Sequence, residues 1–264
     1  MTVVVSPSSP MLIFGCGNMG RAMLEGWLRS GIDPACFVVI DPNAQNLPVG
    51  VRQVEDSDQR FSTAVLAIKP QLFGEAASNI ERLLTPEALV LSILAGTRLS
   101  ALEAALPERT VIRLMPNLAA AIGKSPLGMF SSAAVDKVAI DQLVNPLGTP
   151  CWLAHEDQMD AVTALSGSGP AFVYRFIDAL AQAGRELGLH PATSLGLAKS
   201  MVEGAALLSA NSSKQPEDLA RRVTSPGGTT AAGLSVLDDA DALKNLMLAT
   251  LTAARDRGAE LSKS

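Results

Sequence analysis

The sequence has few of the side chains that commonly carry acid–base or metal chemistry. Only two histidines, three cysteines and one tyrosine occur among its 264 residues. Because Cys16, Cys36 and Cys151 are isolated and odd in number, we expect free thiols in a reducing compartment, with neither a disulfide framework nor a metal site. His155 and His190 lie outside the motifs that carry the functional argument. A histidine that acts as general acid therefore has little support.

Blocks of lysine and arginine are missing as well. The formal net charge is -5, so the sequence lacks the positive patches that bind nucleic acid or anionic membranes. No segment reaches the roughly 20 apolar residues of a membrane helix, and the start of the chain has no basic signal-peptide region. These absences predict a cytoplasmic protein that acts on a small molecule, without nucleic-acid or membrane partners.

The residues that are present are typical of a well-packed protein, with 48% hydrophobic and 18% charged. From Met11 onward, short apolar runs alternate with helical patterns, which predicts a parallel sheet covered by helices. The predicted strands are MLIFG, FVVID, AVLAIKP, LVLSIL and TVIRLMP. Between Asp41 and Thr63 the pattern is weak, which leaves room for only a short or irregular crossover.

Strand-like runs end after about Ala154, and amphipathic helical patterns follow. We therefore predict two domains: an α/β Rossmann-type dinucleotide-binding domain over residues 1–155 and an all-α domain over residues 156–264. The helical half is rich in alanine and glycine. Its small apolar faces could be buried within one subunit or against a second copy.

The motif GCGNMG follows the first predicted strand and opens a helix, as the dinucleotide-binding fingerprint requires. The first glycine makes the tight turn, the second lets the backbone approach the pyrophosphate, and the third allows close helix packing. An acidic residue, Asp41, ends the next strand 21 positions after Gly20. This context favours a dinucleotide site over a chance glycine loop. The predicted cofactor-binding residues are Gly15, Cys16, Gly17, Asn18, Met19, Gly20 and Asp41.

The carboxylate of Asp41 also bears on which dinucleotide binds. It can accept hydrogen bonds from a ribose 2′-hydroxyl and would repel a 2′-phosphate, and no arginine immediately follows it in DPNAQN. This pattern favours NADH over NADPH. The alternative is that Asp41 is an Asx-type turn residue before Pro42.

The segment VTSPGGTTAAGL, residues 223–234, interrupts the helical half with a proline and a pair each of glycines and threonines. One interpretation is a simple turn between helices. The other is a cradle for an anion or polar ligand at the start of a helix near Thr230, where free backbone N–H groups and the helix dipole point outward.

Six motifs resemble, in their order, those of pyrroline-5-carboxylate reductases: GCGNMG, AIKPQ, SILAG, RLMPN, ALSGSGPAFVY and VTSPGGTTAAGL. The resemblance covers nearly the whole chain from Met11. It implies a Rossmann domain, a helical dimerisation domain, and a homodimer or a ring of such dimers. It also implies reduction of the cyclic imine 1-pyrroline-5-carboxylate to L-proline with NAD(P)H. A protonated iminium is already an electrophile, so this chemistry suits a chain with few acid–base residues.

The resemblance also assigns roles to residues. It places the nicotinamide riboside against Ala67, Ile68, Lys69, Pro70, Ala95, Gly96, Met115 and Asn117. It assigns substrate binding to Ser168, Pro170, Ser225, Gly227, Gly228, Thr229 and Thr230. The Thr230 hydroxyl would be the catalytic group beside the imine nitrogen. Ordinary roles stay open for Lys69 as a solvated strand end, for Met115 as core packing, and for residues 166–170 as a helix kink.

One departure from the family concerns the end of the second strand. Family members often continue there with an Asn-Arg or Ser-Arg sequence suited to a 2′-phosphate, whereas this chain has Asp41-Pro42-Asn43. Two other functions stay open. A 3-hydroxyacid dehydrogenase of similar build would need a lysine four residues from an asparagine, which neither Lys199 nor Lys244 provides. A redox-sensing module would bind the dinucleotide without turning over an imine.

Overall fold

The computed structural model describes residues 5–261 of the chain. Residues 1–4 and 262–264, which belong to the two predicted domains, lie outside the described residues. The described chain forms two compact units, one of residues 5–167 with 254–261 and one of residues 168–253. The division predicted between residues 155 and 156 stays a prediction.

One eight-stranded sheet forms the centre of the first unit. Its strands are β1 (Met11–Phe14), β2 (Phe37–Ile40), β3 (Arg52–Gln53), β4 (Phe61–Leu66), β5 (Leu84–Ser92), β6 (Thr110–Met115), β7 (Ser125–Phe130) and β8 (Gly148–Trp152). They lie in the order β3-β2-β1-β4-β5-β6-β7-β8, and all neighbours are parallel except β6 and β7. The first six strands have the order of a Rossmann sheet, so the predicted fold class is confirmed for this half.

Helices cover both faces of the sheet. They are α1 (Asn18–Arg29), α2 (Phe73–Leu83), α3 (Leu99–Ala105), α4 (Lys137–Val144) and α5 (Met159–Val162). Alternate residues of β1 belong to two separate cores, since Ile13 packs with α1 and α4 whereas Leu12 packs with α2 and α3. Both faces of the strand are therefore buried, which explains why the strand sequences are apolar without alternation.

The five strands predicted from the sequence are confirmed as β1, β2, β4, β5 and β6, whereas β3, β7 and β8 were missed. The weak region between Asp41 and Thr63 contains only the two-residue β3 before β4 begins. The strands β7 (SPLGMF) and β8 (GTPCW) are hard to recognise in the sequence because both contain proline and glycine, which are rare in strands. Pro150 is tolerated because β8 is an edge strand, where a missing N–H breaks no ladder.

The rest of the described chain is helical, and its residues 168–253 form the second unit. After α5, a π-helical turn at Thr163–Gly167 leads to α6 (Gly169–Glu186), α7 (Pro191–Ala210), α8 (Pro216–Arg222), α9 (Thr229–Asp238) and α10 (Ala242–Leu261). These bounds confirm the predicted helical half, and Pro191 occupies the first position of α7, where a missing N–H costs no helical hydrogen bond. Within residues 5–261, no helix combines the length and apolar character needed to cross a membrane.

The helical unit has almost no core of its own. Within residues 168–253, only Ala181, Ser194 and Ala198 are buried. Helices α6 and α7 approach closely through these small residues, and the Ser194 hydroxyl donates to the Ala181 carbonyl at 2.7 Å. Large apolar side chains remain exposed, for example Leu187 and Leu208 at 87% and 73%. A single chain therefore leaves the apolar faces of these helices uncovered.

Candidate functional site

The residues assigned to the dinucleotide meet at one edge of the sheet. Strands β1, β2, β4, β5 and β6 are parallel, so their carboxyl ends lie on the same side. The glycine-rich loop follows β1, Asp41 follows β2, Ala67 follows β4, and Asn117 lies just after β6. Strand β1 lies between β2 and β4, where the strand order reverses. Open α/β sheets bind ligands at this switch point.

The three fingerprint glycines have different surroundings, which match the three roles of the motif. Gly15 has a φ of 90°, and a side chain there would lie 2.7 Å from the Ala67 carbonyl. A side chain at Gly20 would lie 2.7 Å from the Gly15 oxygen, so α1 packs directly on the loop. At Gly17 a side chain would meet nothing within 4 Å. The open side of Gly17 therefore leaves room for a pyrophosphate.

The start of α1 offers hydrogen-bond donors beside this open space. Gly17 is the N-cap residue, and no side chain caps the helix. The first bond of the helix runs from the Arg21 N–H to the Gly17 carbonyl, so the N–H groups of Asn18, Met19 and Gly20 have no acceptor in the described chain. A helix start of this kind binds phosphate through its N–H groups and its dipole. These residues fit a dinucleotide pyrophosphate.

Asp41 binds the backbone with both carboxylate oxygens. Oδ2 accepts from the Cys16 N–H at 2.6 Å, and Oδ1 accepts from the Asn43 N–H at 2.8 Å. The second bond is the Asx-type turn that the sequence left open as an alternative. Each oxygen can accept a further hydrogen bond, so the turn does not exclude a contact to a ribose hydroxyl.

Cys16 lies inside the glycine-rich loop and is buried. Burial, with a smaller contribution from the Asp41 charge, raises the pKa of its thiol to about 11, and Arg21 opposes this shift. Burial also raises the pKa of the Cys36 thiol. Both thiols therefore stay protonated near neutral pH and are poor nucleophiles. All three cysteines are free, and Cys151 is the exposed one.

The residues assigned to the nicotinamide side differ in how exposed they are. Lys69 and Ala95 are exposed, whereas Ala67, Ile68, Pro70 and Gly96 are partly exposed. Met115 and Asn117 are buried. The Asn117 side chain donates to the Ser166 carbonyl and accepts from the Ala119 N–H, both at 2.9 Å. Its amide group is thus engaged within the protein, and it joins the end of β6 to the π-helical turn.

The segment between α8 and α9 has the shape of a small cradle. Gly227 has a φ of 69°, which favours glycine, and Gly228 is the N-cap residue of α9. The Gly228 N–H donates to the Ser225 carbonyl at 3.0 Å, which turns the chain back on itself. The first bond of α9 runs from the Ala232 N–H to Gly228, so the N–H groups of residues 229–231 are free in the described chain.

Hydroxyl groups surround these free donors. The side chains of Ser225, Thr229 and Thr230 are exposed, and their hydroxyls form no hydrogen bond within the described residues. By contrast, the neighbouring Thr224 hydroxyl donates to the Ala220 carbonyl at 2.7 Å. The hydroxyls assigned to the substrate are therefore the ones left available for a ligand.

The segment SGSGP begins in the π-helical turn at Thr163–Gly167. Ser168 is the N-cap residue of α6, and Pro170 lies in its first turn. A change of helical hydrogen bonding at this point agrees with the alternative of a helix kink, while π-helical turns are also frequent at functional sites. The assignment of Ser168 and Pro170 to the substrate stays a prediction.

Comparison with known proteins gives the family. Residues 156–261 match a family profile described as pyrroline-5-carboxylate reductase dimerisation, and residues 11–96 match one described as NADP oxidoreductase, coenzyme F420-dependent. Over 97% of its length the chain is 35% identical to the pyrroline-5-carboxylate reductase of Pseudomonas aeruginosa, of which it covers 98%. The chain belongs to the pyrroline-5-carboxylate reductase family.

Solved structures of the pyrroline-5-carboxylate reductase family have the same fold. The enzyme from Coxiella burnetii has a TM-score of 0.89 at 31% identity, covering 97% of this chain and 99% of that one. The Plasmodium falciparum enzyme, solved with NADP bound, has a TM-score of 0.84 at 26% identity, with coverages of 97% and 99%. These matches support a nicotinamide cofactor in the first half of this chain and dimerisation through the second.

A largely buried ion pair that includes the first residue of the motif RLMPN was missed from the sequence. Arg113, inside β6, is 4% exposed and donates to Glu156 at 2.7 Å. The same Glu156 oxygen accepts the Leu99 N–H at 2.6 Å, at the start of α3. The pair therefore fixes two elements whose neighbouring loops carry the nicotinamide-side residues. An arginine within the apolar run TVIRLM was the available signal, but nothing in the sequence marked its partner.

Proposed function

We propose that this chain reduces 1-pyrroline-5-carboxylate to L-proline with NAD(P)H. Family membership over nearly the full length is the observation that carries this proposal. The two groups of residues supply what the reaction needs: a dinucleotide cradle in the first unit, and hydroxyl and N–H donors in the second.

The first unit binds the dinucleotide through three groups of atoms in this proposal. The N–H groups of residues 18–20 bind the pyrophosphate, and the open side of Gly17 gives it room. The Asp41 carboxylate accepts a hydrogen bond from a ribose hydroxyl. The loops after β4, β5 and β6 line the nicotinamide riboside. When bound, the reduced nicotinamide supplies a hydride.

The segment between α8 and α9 binds the substrate. The substrate carboxylate is held by the free N–H groups at the start of α9, where the helix dipole favours an anion. The hydroxyls of Ser225 and Thr229 add donors, and Ser168 and Pro170 close the substrate site. The Thr230 hydroxyl binds the ring nitrogen and fixes the orientation of the imine.

The protons balance without a dedicated acid in the hydride-transfer step. The imine is protonated at nitrogen before reduction, the ring carbon gains the hydride, and the nitrogen keeps its proton as a secondary amine. The chain's contribution is therefore to orient the iminium and to hold its carboxylate. This agrees with the absence of histidine from both groups of assigned residues.

Two finer statements extend the proposal. The cofactor preference is for NADH, because the Asp41 carboxylate would repel a 2′-phosphate. The dimer formed through the helical half assembles further into a ring of dimers. A cytoplasmic location stays a prediction from the sequence.

Initial rates with 1-pyrroline-5-carboxylate, measured in parallel with NADH and NADPH, test the proposed function. We expect both reduced cofactors to be consumed, which is measured as a loss of their near-ultraviolet absorbance. We also expect a higher kcat/KM for NADH than for NADPH. No turnover with either cofactor would contradict the proposal. Tight dinucleotide binding without turnover would instead favour the redox-sensing module.

A further inference from the structure

The Asp41 carboxylate connects two backbone segments that the sequence places far apart. Its Oδ2 atom holds the Cys16 N–H at 2.6 Å, in the glycine-rich loop, and its Oδ1 atom holds the Asn43 N–H at 2.8 Å, in the loop after β2. Both bonds join a charged acceptor to a backbone donor, the stronger class of hydrogen bond. One side chain therefore sets the spacing of the two loops.

The loop after β2 is held by other parts of the chain as well. The Gln53 amide donates to the Asp41 carbonyl at 2.9 Å. Arg21, on α1, donates to the Gln45 carbonyl at 3.0 Å. Since β3 and α1 both hold this loop, it provides a fixed support from which Asp41 can restrain the glycine-rich loop.

The restrained peptide lies at a sensitive point of the dinucleotide site. Cys16 separates Gly15, where an added side chain would lie 2.7 Å from the Ala67 carbonyl, from Gly17, where an added side chain would meet nothing within 4 Å. A shift of the Cys16 peptide would move Gly17 and the free N–H groups that follow it. Those donors bind the pyrophosphate, which is common to NADH and NADPH.

We propose that Asp41 is a positioning residue for the pyrophosphate site, which acts through the Cys16 N–H in addition to any contact with the ribose. Asp41 then contributes to the affinity for NADH and for NADPH through this bond, and its charge in addition disfavours NADPH relative to NADH. This inference rests on the proposed binding of a dinucleotide but not on turnover of an imine.

The experiment compares dissociation constants of NADH and NADPH for the full chain and three variants by calorimetric titration. Asp41→Ala removes both acceptors, so we expect the Kd of NADH to rise about tenfold or more and the Kd of NADPH to rise less, because the repulsion of its 2′-phosphate is lost as well. Asp41→Asn keeps one acceptor oxygen and removes the charge, so it should recover part of the affinity and shift the ratio toward NADPH. Asp33→Ala is the matched control, because Asp33 makes the same type of turn bond, to the Ala35 N–H at 2.8 Å, before β2. It should leave both Kd values unchanged.

Amide hydrogen exchange of the peptide that contains Cys16 provides a second measurement, which needs no ligand. We expect faster exchange in Asp41→Ala than in the wild type and in Asp33→Ala. Unchanged affinity for both cofactors in Asp41→Ala would overturn the inference. So would weaker NADH binding with unchanged or tighter NADPH binding, because that result leaves only a ribose contact. A wild type that binds dinucleotides but reduces no imine would contradict the proposed function and leave this inference standing.

Discussion

At the residue scale, the proposed reaction depends on a few uncharged donors. The hydroxyls of Ser225, Thr229 and Thr230 are free in the described chain, while that of Thr224 already binds a helix carbonyl. The family resemblance assigned these three to the substrate and left out Thr224, but the local sequence gave no physical reason for the difference. Only the course of the backbone decides which hydroxyl is occupied.

Replacing Thr230 by valine tests the proposed contact with the imine nitrogen. Valine keeps the shape but removes a hydrogen bond to a charged partner, worth about 1.5–3 kcal/mol, so kcat/KM should fall roughly 10- to 100-fold. Dinucleotide affinity should hardly change, because the pyrophosphate donors belong to the other unit. Thr224→Val is the matched control and should retain most of the activity. Full activity of Thr230→Val in steady-state kinetics would refute the role of the hydroxyl.

Cys16 predicts a dependence of stability on pH. Its pKa is raised from an ordinary value of 9.0 to about 11, so the folded state holds the proton more tightly than the unfolded state. The resulting stabilisation is complete below the unfolded pKa and is lost as pH rises toward the folded pKa. Two pKa units correspond to about 2–3 kcal/mol.

Chemical denaturation of the wild type and of Cys16→Ala at several pH values measures this effect. The difference in free energy of unfolding between the two proteins should be constant up to pH about 8 and then move in favour of Cys16→Ala as the pH rises to about 10.5. Cys36 is retained in both proteins, so its own raised pKa cancels in the comparison. A difference that stays constant over the whole range would show that Cys16 titrates normally.

At the element scale, the connection from β1 to α1 contains glycines with different roles. Gly20 is required for packing against the loop, whereas Gly17 faces open space. The φ of Gly17 is -68°, which any residue can adopt. The two positions therefore allow stability and ligand binding to be tested independently.

Alanine at Gly20 should mainly lower stability, whereas alanine at Gly17 should mainly weaken dinucleotide binding. Gly20→Ala overpacks the turn and should lower the free energy of unfolding by about 1–3 kcal/mol. Gly17→Ala should lower the free energy of unfolding by at most about 1 kcal/mol, because alanine is a poorer N-cap residue than glycine but its methyl group would meet nothing within 4 Å. It should nevertheless weaken NADH binding roughly tenfold or more, since its methyl group occupies the pyrophosphate space. Unimpaired NADH binding by Gly17→Ala in a calorimetric titration would argue against the assigned position of the pyrophosphate.

The elements that could be predicted from sequence are those with strong local signals. Buried strands rich in valine, isoleucine and leucine gave the parallel half of the sheet, and GCGNMG gave the turn into α1. The antiparallel β7 and the edge strand β8 contain proline, so local propensity pointed away from them. The π-helical turn and the Asp41 bond to Cys16 depend on contacts between distant segments, which no local pattern encodes.

At the scale of the whole molecule, the second unit has too small a core to be complete alone. Its buried residues are all small, and large apolar side chains lie exposed along its helices. The match of residues 156–261 to a dimerisation profile explains this composition, since a second copy would cover those faces. Composition alone left open whether one subunit or a second copy covers the small apolar faces, and the family resemblance implied a second copy.

Light scattering coupled to size-exclusion chromatography tests this assembly. The protein should elute with at least twice the monomer mass at concentrations where it is active, because the exposed apolar faces of the helices favour association. A larger multiple of the dimer mass would agree with the proposed ring. A monodisperse monomer with full activity would contradict dimerisation through the helical half.

Isotope labelling measures directly whether the hydride of the cofactor is transferred to 1-pyrroline-5-carboxylate. The chain is incubated with the imine and NADH carrying deuterium on the transferred position, and the product is analysed by mass spectrometry. We expect L-proline with one deuterium on the former imine carbon, formed in equal amount to the oxidised cofactor. Unlabelled proline, or oxidised cofactor without proline, would contradict the proposed function.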